Sequence, residues 1–321
     1  MVAMMTTPTR CRVAHIIANP TAGQVDSDLI AELVGRCQAR VSKLHVFLTA
    51  DRGDAEQAAA AAVREGADVV IAVGGDGTVR EVVQGLLGTG EGAELPSLLV
   101  VPAGTGNSSY LAQWGRLDWR EAVVAALSGT GAERRLLDLA KLVELDQLVL
   151  LGACSGLIAE ALTTARSVPV TGPERYRIAL ARTAVDFVPY PGRVLVDGLE
   201  VHSGDTVLAN VGGGRFRGGT YQVLPRSILD DGLLDVCVVG SPVAAVDVPE
   251  LTLTGGHLGL LGVVYARGSR ITVERTDGVP ISFEHDGELA TTELTSVTLQ
   301  VLPQVLPVLC RTGLAALQPI R

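Results

Sequence analysis

Gly74, Gly75 and Gly77 frame a single carboxylate, Asp76, and are followed at once by Thr78. Such a stretch has no side chains to hold a ligand away from the main chain, so backbone N–H groups can close on a chain of phosphates. A short apolar run, Val69, Val70, Ile71 and Val73, precedes it, and Val79, Val82, Val83 and Leu86 follow at helical spacing. The order strand, bare loop, helix sets the loop at a helix N-terminus, where partial positive charge favours an anion. An ordinary tight turn would not need three glycines around an Asp. Further along, Asp286-Gly287-Glu288 places carboxylates about a glycine turn, where one can accept a proton from an attacking hydroxyl. A solvated hairpin turn is the alternative reading of those residues. Asp230, Asp231 and Asp235 suit either a hard cation or a solvated turn. The stretch from Gly212 to Gly219, with Arg215 and Arg217, can approach a phosphate or an anionic membrane surface, or form a plain surface loop.

The elements that must position these loops can be read in order. Val13–Ala18 forms a strand that runs into Asn19-Pro20-Thr21-Ala22-Gly23. A helix follows, capped by Asp26 or Ser27, with Leu29, Ile30, Leu33, Val34 and Cys37 on one face. Leu44, Val46 and Leu48 alternate as a strand ending at Thr49, and Asp54–Arg64 is an Ala-rich helix. Leu98–Val101 is a further strand, ending in Pro102-Ala103-Gly104-Thr105-Gly106-Asn107, and Trp119–Leu127 reads as a helix. This alternation implies a doubly wound, mainly parallel sheet covered on both faces. Ligands of such sheets bind outside the carboxyl ends of the strands, so Asn19, Thr49, Asp76 and Thr105 should share one rim.

After Leu136 the texture changes to short strand-like runs separated by turn residues: Leu136–Leu142, Gln147–Ala153, Arg193–Val196, Thr206–Val211, Leu233–Val239, Arg270–Val273, Pro280–Phe283 and Leu294–Leu302. Helical segments near Ala159–Arg166, Tyr176–Phe187 and Val243–Leu253 interrupt them. The expectation is an α/β domain over residues 11–135, with residues 305–321 returning to it, and a β-rich sandwich over residues 136–304. Residues 1–10 are expected to be disordered.

The chain has 321 residues, a length suited to two domains, and a net charge of −9. That balance argues against non-specific nucleic-acid binding, which needs a basic face, and provides no polybasic membrane anchor. Cys11, Cys37, Cys154, Cys237 and Cys310 are scattered and mostly lie in apolar runs, as buried thiols in a reducing cytosol would. No Cys/His pair has metal-site spacing. The first nine residues lack the apolar stretch of a signal peptide. The most apolar segments, Leu258–Ala266 and Val297–Cys310, are too short to span a bilayer as helices. A soluble, cytoplasmic protein is expected, with any membrane contact peripheral. Leu258–Tyr265 and Val185–Tyr190 are the candidates for lipid contact, with a core role as the alternative for each.

Taken together, these loops resemble the catalytic domain of diacylglycerol kinases and the related bacterial lipid kinases, which also includes sphingosine and ceramide kinases. The matching pieces are Asn19 to Gly23, Gly74 to Thr78 with Glu81 beyond it, Pro102 to Asn107, Pro225 with Leu229 to Val236, and Asp286 to Glu288. They occur in the family's order over about residues 12–300. The Gly-Gly-Asp-Gly-Thr loop alone is shared with NAD kinases and phosphofructokinase-like enzymes. The resemblance implies an α/β nucleotide domain of that kind and a β-sandwich lipid domain, with nucleotide and acceptor meeting in the cleft. It implies that ATP contacts Asn19, Pro20, Thr21, Ala22, Gly23, Thr49, Gly74, Gly75, Asp76, Gly77, Thr78, Val79, Arg80 and Thr105, with Asp76 facing a magnesium–triphosphate. It implies Glu288 as general base, and a Mg²⁺ site formed by Ile228, Asp231 and Leu233, two of them through backbone carbonyls. The implied partner is a membrane lipid at the inner membrane face, with no nucleic acid; a homodimer is compatible with the resemblance.

The sequence departs from the bacterial pattern at Gln24, where a basic residue is usual, and at Ser108-Ser109-Tyr110-Leu111, where Asp-Phe-Ala-Arg is common. The resulting expectation is an ATP- and Mg²⁺-dependent lipid kinase acting on a diacylglycerol-like or sphingoid-like hydroxyl. The alternatives are a kinase of a soluble alcohol or nucleotide, and a lipid- or nucleotide-binding module without turnover.

Overall fold

The computed structural model describes residues 11–90, 92–290 and 293–313. The expectation of disorder for residues 1–10, and the last residues of the expected returning tail, lie outside them. The chain divides into two compact units, with the divisions at Leu137/Asp138 and at Pro303/Gln304.

The first unit alternates strand and helix: β1 (Val13–Ala18), α1 (Ser27–Gln38), β2 (Lys43–Leu48), α2 (Asp54–Arg64), β3 (Val69–Gly74), α3 (Asp76–Leu87), β4 (Ser97–Pro102), α4 (Ser108–Trp114) and α5 (Trp119–Ser128). The strands run parallel in the order β4-β3-β1-β2. All six residues of β3 are buried, as its unbroken apolar run requires for a strand covered on both faces. Chain order reverses direction between β1 and β3: from β1 the path moves out to β2, and from β3 it moves the other way to β4. Right-handed crossovers then put α1 on one face and α2 and α3 on the other. Asp26 caps α1 by accepting from the Leu29 N–H at 2.7 Å, and Asp118 caps α5 through the Arg120 N–H at 2.8 Å. Between α2 and α3 a glycine sets the spacing: a Cβ on Gly85 would lie 2.0 Å from the carbonyl oxygen of Glu56.

The second unit is antiparallel. Its elements are the C-terminal part of β5 (Ala132–Leu142), β6 (Gln147–Val149), β7 (Ala153–Gly156), α6 (Leu157–Ala165), α7 (Pro173–Asp186), β8 (Tyr190–Val196), β9 (Leu199–Gly212), β10 (Phe216–Arg217), β11 (Tyr221–Gln222), β12 (Leu234–Gly240), α8 (Val248–Thr254), β13 (Val263–Gly268), β14 (Arg270–Arg275), β15 (Phe283–His285), β16 (Glu288–Ala290) and the first part of β17 (Ser296–Arg311). Strand β12 shows why its run is continuously apolar. Val236 and Val238 enter one core with Val194, Ala209, Ile271 and Phe283, while Cys237 and Val239 enter a second core with Leu157, Leu180 and Leu224. The far part of β17 belongs to the first unit, where Val308 pairs in parallel with Leu98 of β4.

The expected parallel α/β and β-rich architecture holds, with local differences. The single strand expected over Gln147–Ala153 is two, because the Asp286 carboxylate takes the N–H groups of Leu150, Leu151 and Gly152 away from any ladder. The strand expected at Pro280–Phe283 falls instead at β15, which forms a hairpin with β16. Helix α4 and strand β13 are additional, and β9 begins at Leu199, not Thr206. All five cysteines are buried and none is in a disulfide. No helix among the described residues is long and apolar enough to cross a membrane.

The Gly85 contact gives a direct test. Gly85→Ala is expected to destabilise the protein by about 2 kcal/mol, because the backbone of α2 must retreat from the new methyl group. An unchanged thermal midpoint would show that the helices are not in that contact.

Candidate active site

The switch point between β1 and β3 is where the glycine loop and the Asn19 loop meet. The Asn19 N–H donates to the Val73 carbonyl at 3.0 Å, and the Thr49 N–H donates to the Ala18 carbonyl at 2.9 Å. The Asn19 side chain works in both directions. Its Nδ2 donates to Thr78 Oγ1 at 3.2 Å, and its Oδ1 accepts from the Thr21 N–H at 2.9 Å and from Thr21 Oγ1 at 2.7 Å. One amide therefore fixes its own turn and the first turn of α3. On the other side, the Gln24 N–H donates to the Ala103 carbonyl at 3.1 Å, tying the Asn19 loop to the loop after β4. Glu81 accepts from the Gly53 N–H at 3.1 Å, so α3 also holds the loop that follows Thr49.

The two glycine loops touch through their backbones. A Cβ on Gly104 would lie 2.3 Å from the Cα of Gly75, and one on Gly75 would lie 3.2 Å from the Cα of Gly104. Asn107, with φ of 51°, closes the second loop by accepting from the Gly104 N–H at 2.9 Å. Helix α3 starts with Gly75 as N-cap and no side-chain cap bond. Its first N–H groups have no intrahelical acceptor by geometry, and an anion can supply one. The bare backbone and the uncapped helix end fit a phosphate chain.

Asp76 has a role the sequence did not suggest. Its Oδ2 accepts from the Ser108 N–H at 2.9 Å, and its Oδ1 accepts from the Ser109 N–H and Oγ, both at 2.9 Å. It thus supplies the cap that α4 lacks from its own Asn107. Ser109, within the stretch that departs from the common bacterial pattern, provides one of these bonds through its hydroxyl. Of the other expected nucleotide contacts, Thr105, Pro20, Thr21, Gly23 and Gly77 are exposed, Ala22 is partly exposed, and Thr49, Val79 and Arg80 are buried. All lie in the first unit.

Glu288, Ile228, Asp231 and Leu233 lie in the second unit. Glu288 opens β16, opposite His285 in the hairpin. Asp286 sits at the turn with φ of 50° and a buried carboxylate. Burial alone would raise its pKa, but the neighbouring His285 and hydrogen bonds from the N–H groups of Leu150 and Leu151 outweigh that and hold it below the usual carboxylate range. Glu284 stands out in the same hairpin and was not singled out in the sequence. It is buried, opposite Cys154 on β7, with Oε2 accepting from the Gly287 N–H at 3.0 Å and Oε1 without a hydrogen-bond partner. Burial pushes it up to about 7, and the nearby Arg217 only partly offsets this. Residues 281–285, Ile-Ser-Phe-Glu-His, alternate so that Glu284 falls with Ser282 on the side a lone strand would turn to solvent, and no local signal marked it as buried.

The acidic loop before β12 already carries a cation. Asp231 pairs with Arg267 through Oδ2, and its Oδ1 accepts from the Leu233 N–H at 3.1 Å. Asp138 steadies the same loop from β5, accepting from the Gly232 N–H at 2.6 Å. The guanidinium stands where a divalent ion would need the carboxylate, so these residues do not fit a resident metal and no catalytic step is assigned to one there. The two arginines of the Gly212–Gly219 stretch turn inward: Arg217 Nε donates to Asn210 Oδ1 at 2.7 Å, and Arg215 Nε donates to the Ser227 carbonyl at 3.1 Å. Of the two lipid-contact candidates, Leu258 packs on the second core while Leu261 is 86% exposed, and Val185 and Val188 are exposed beside the half-buried Phe187.

Both units have counterparts among known protein families. Residues 13–142 match the diacylglycerol kinase catalytic domain, and residues 153–310 match the YegS C-terminal NAD kinase beta sandwich-like domain. A Pectobacterium atrosepticum protein named "Probable lipid kinase YegS-like" is 31% identical over 235 residues, which cover 72% of this chain and 76% of that protein. The chain belongs to the YegS-like lipid kinase family. A Stenotrophomonas maltophilia protein of the same name is 30% identical over 278 residues, 84% of this chain and 82% of the relative. The fold is shared with a diacylglycerol kinase from Bacillus anthracis, at a TM-score of 0.70 and 23% identity over 96% of this chain and 100% of the other. It is shared more distantly with yeast NADH kinase, at a TM-score of 0.51 and 9% identity over 95% of this chain and 86% of that one.

Two outcomes follow from the geometry. Glu284 keeps its proton in the folded state to about pH 7, whereas the unfolded chain loses it near 4.5. Stability is therefore expected to fall as pH rises from 4.5 to 7, by up to roughly 3 kcal/mol. Glu284→Gln should remove that fall, so that the variant melts above the parent at pH 8 but not at pH 4.5; parallel pH profiles would refute the assignment. Arg267→Gln should expose Asp231 to divalent ions, so that magnesium raises the thermal midpoint of the variant more than that of the parent. An equal response would mean that Arg267 does not occupy that carboxylate.

Proposed function

We propose that this protein is an ATP-dependent lipid kinase that transfers the γ-phosphoryl group to a hydroxyl of a membrane lipid. The observation that carries the reading is the backbone contact of Gly75 with Gly104 beside the uncapped N-terminus of α3, in a chain of the YegS-like lipid kinase family. ATP, with its accompanying Mg²⁺, supplies the phosphoryl group. Asn19 to Gly23, Thr49, Gly74 to Arg80 and Thr105 hold it, through main-chain N–H groups more than through side-chain charge. Phosphoryl transfer depends mostly on positioning and charge neutralisation, and a site built from backbone supplies the first. Asp76 acts here as a positioning residue: its bonds to Ser108 and Ser109 keep the two glycine loops together.

Glu288 is the proposed general base. It takes the proton of the lipid hydroxyl as that oxygen forms its bond to phosphorus and the bond to the β-phosphate oxygen breaks. Asp286 cannot serve, because three backbone N–H groups of the Leu150–Gly152 turn engage its carboxylate. An open groove of about 750 Å³, lined by Val243, Leu251, Leu253, Leu260 and Leu261 among others, offers apolar surface of the kind an acyl chain takes. Its rim residue Leu261 is exposed, in keeping with peripheral contact at a membrane.

The test is transfer of labelled γ-phosphate from Mg–ATP to diacylglycerol, monoacylglycerol, sphingosine, ceramide and phosphatidylglycerol in mixed micelles, with a soluble polyol as control. Label is expected in a lipid product. Label confined to the polyol, or ATP binding with no product, would overturn the reading. Glu288→Gln is expected to abolish transfer while still binding ATP, and Gly104→Val to lose ATP binding; near-normal turnover in the Glu288 variant would remove that residue from the role of base.

A further inference from the structure

Strand β2 ends the sheet of the first unit. It pairs with β1 and has no neighbour on its other side among the described residues. Exposed sheet edges are normally blunted by charge, proline or a bulge. The centre of this one has none of them. Its register with β1 is unbroken from Lys43 to Leu48, and Lys43, at the first position, is its only lysine, arginine or acidic residue. Val46, Phe47 and Leu48 follow one another at 45%, 43% and 53% exposure. Successive side chains point to opposite faces of a sheet, so apolar surface is open on both sides of this edge. Single exposed apolar residues are ordinary; three in succession on an open backbone edge are the pattern of a surface that another strand covers.

The backbone limits how such a strand can sit. The Lys43 N–H donates to the Arg12 carbonyl at 2.8 Å and the Thr49 N–H to the Ala18 carbonyl at 2.9 Å, so the odd-numbered residues of β2 turn their N–H and C=O groups into β1. The even-numbered residues turn theirs outward. An antiparallel copy of β2 can therefore form hydrogen-bonded pairs only between even-numbered residues. A twofold axis at Phe47 meets that requirement. Val46 then faces Leu48 of the second copy as a hydrogen-bonded pair, and Phe47 faces its own equivalent in a non-bonded pair, where side chains approach most closely. Just past Leu48 the open ladder ends, because the Asp54 carboxylate takes the Ala50 N–H at 2.8 Å. Charge selects the same axis. Lys43 lies four residues before Phe47 and Asp51 four after it, so each Lys43 faces the Asp51 of the other copy, twice by symmetry. Moving the axis by one residue sets Lys43 against Thr49 or Gly53 and leaves the charges unmatched.

We propose that β2 is a self-association edge, across which two copies of this chain join antiparallel strands about a twofold axis at Phe47 into one continuous sheet. Val46, Phe47 and Leu48 form its apolar centre, and Lys43 with Asp51 closes each end. The contact is isologous, so it stops at two copies and does not propagate. It lies wholly within the first unit and stands independently of the proposed kinase reaction.

The test is sedimentation velocity of the full chain over a concentration series. The parent should show a reversible monomer–dimer equilibrium, and Val46→Lys should leave only monomer, because it carries a charge into the apolar centre. Lys43→Glu and Asp51→Lys should each weaken the dimer by about tenfold, since each sets like charges opposite one another at both ends. The double variant Lys43→Glu/Asp51→Lys should restore it. Circular dichroism checks that each variant folds. Should Val46→Lys fold poorly, Val46→Pro serves in its place, because the N–H it removes faces away from β1 and the ladder within the unit is spared. A parent that stays monomeric, a folded Val46 variant that dimerises as well as the parent, or a double variant no tighter than the single ones would each overturn the proposal. So would neutral-lipid vesicles that bind the parent and not Val46→Lys, since the edge would then meet a membrane.

Discussion

Two backbones that meet with no room for a side chain on Gly104, where it faces Gly75, set the terms on which the first unit is built. For the loops after β3 and β4 to meet there, the strands must be parallel neighbours ending at the same level, as their register from Val69↔Ser97 to Gly74↔Pro102 provides. The Ala103 N–H bonded to the Gly74 carbonyl continues that ladder into the loops. Asp76 then acts as the fastener. Its carboxylate sits on the first turn of one helix and satisfies the orphan donors of another, an exchange in which two helix ends solve each other's problem. The result is a rim with bare main chain facing out and its polar side chains already engaged in holding it.

The second unit solves a different problem, that of carrying carboxylates in an apolar sandwich. Asp286 is stabilised as a charge by backbone donors, and the turn it binds is the reason β6 and β7 are separate strands. Glu284, two residues before it and opposite in environment, is pushed up to about 7 by burial. Asp235 in β12 is likewise buried and pushed up to about 6, with Arg267 Nε 3.5 Å away. Neighbouring carboxylates in this unit are thus shifted in opposite directions because their surroundings differ, not because their chemistry does.

Much of the first unit was legible because its strands are apolar on both faces and its loops are glycine-rich at each strand end. What was not legible depends on partners remote in sequence. Helix α4 is short, starts after a left-handed Asn107 and takes its cap from Asp76, so no local signal marks it. The early part of β9, from Leu199 to Asp205, is largely exposed and polar, and its strand character comes from pairing with β8. The Asp76 carboxylate was visible as a functional residue, but its bonding to Ser108 and Ser109 could not be read from spacing. Asp231 looked open to a cation because Arg267, on a strand the sequence did not reveal, is its partner.

Strand β17 has a consequence for how the protein comes into being. Val308 pairs with Leu98, so the sheet of the first unit is finished by residues that leave the ribosome after the whole second unit has been made. Until then β4 is an edge with unpaired main-chain groups, the kind of surface that recruits other chains. The order of synthesis and the order of assembly therefore conflict: the domain made first is the one completed last, and a nascent chain passes through a stage in which its nucleotide-type sheet is exposed to mispairing. The first unit accordingly cannot be regarded as a self-contained module that would survive excision at Leu137.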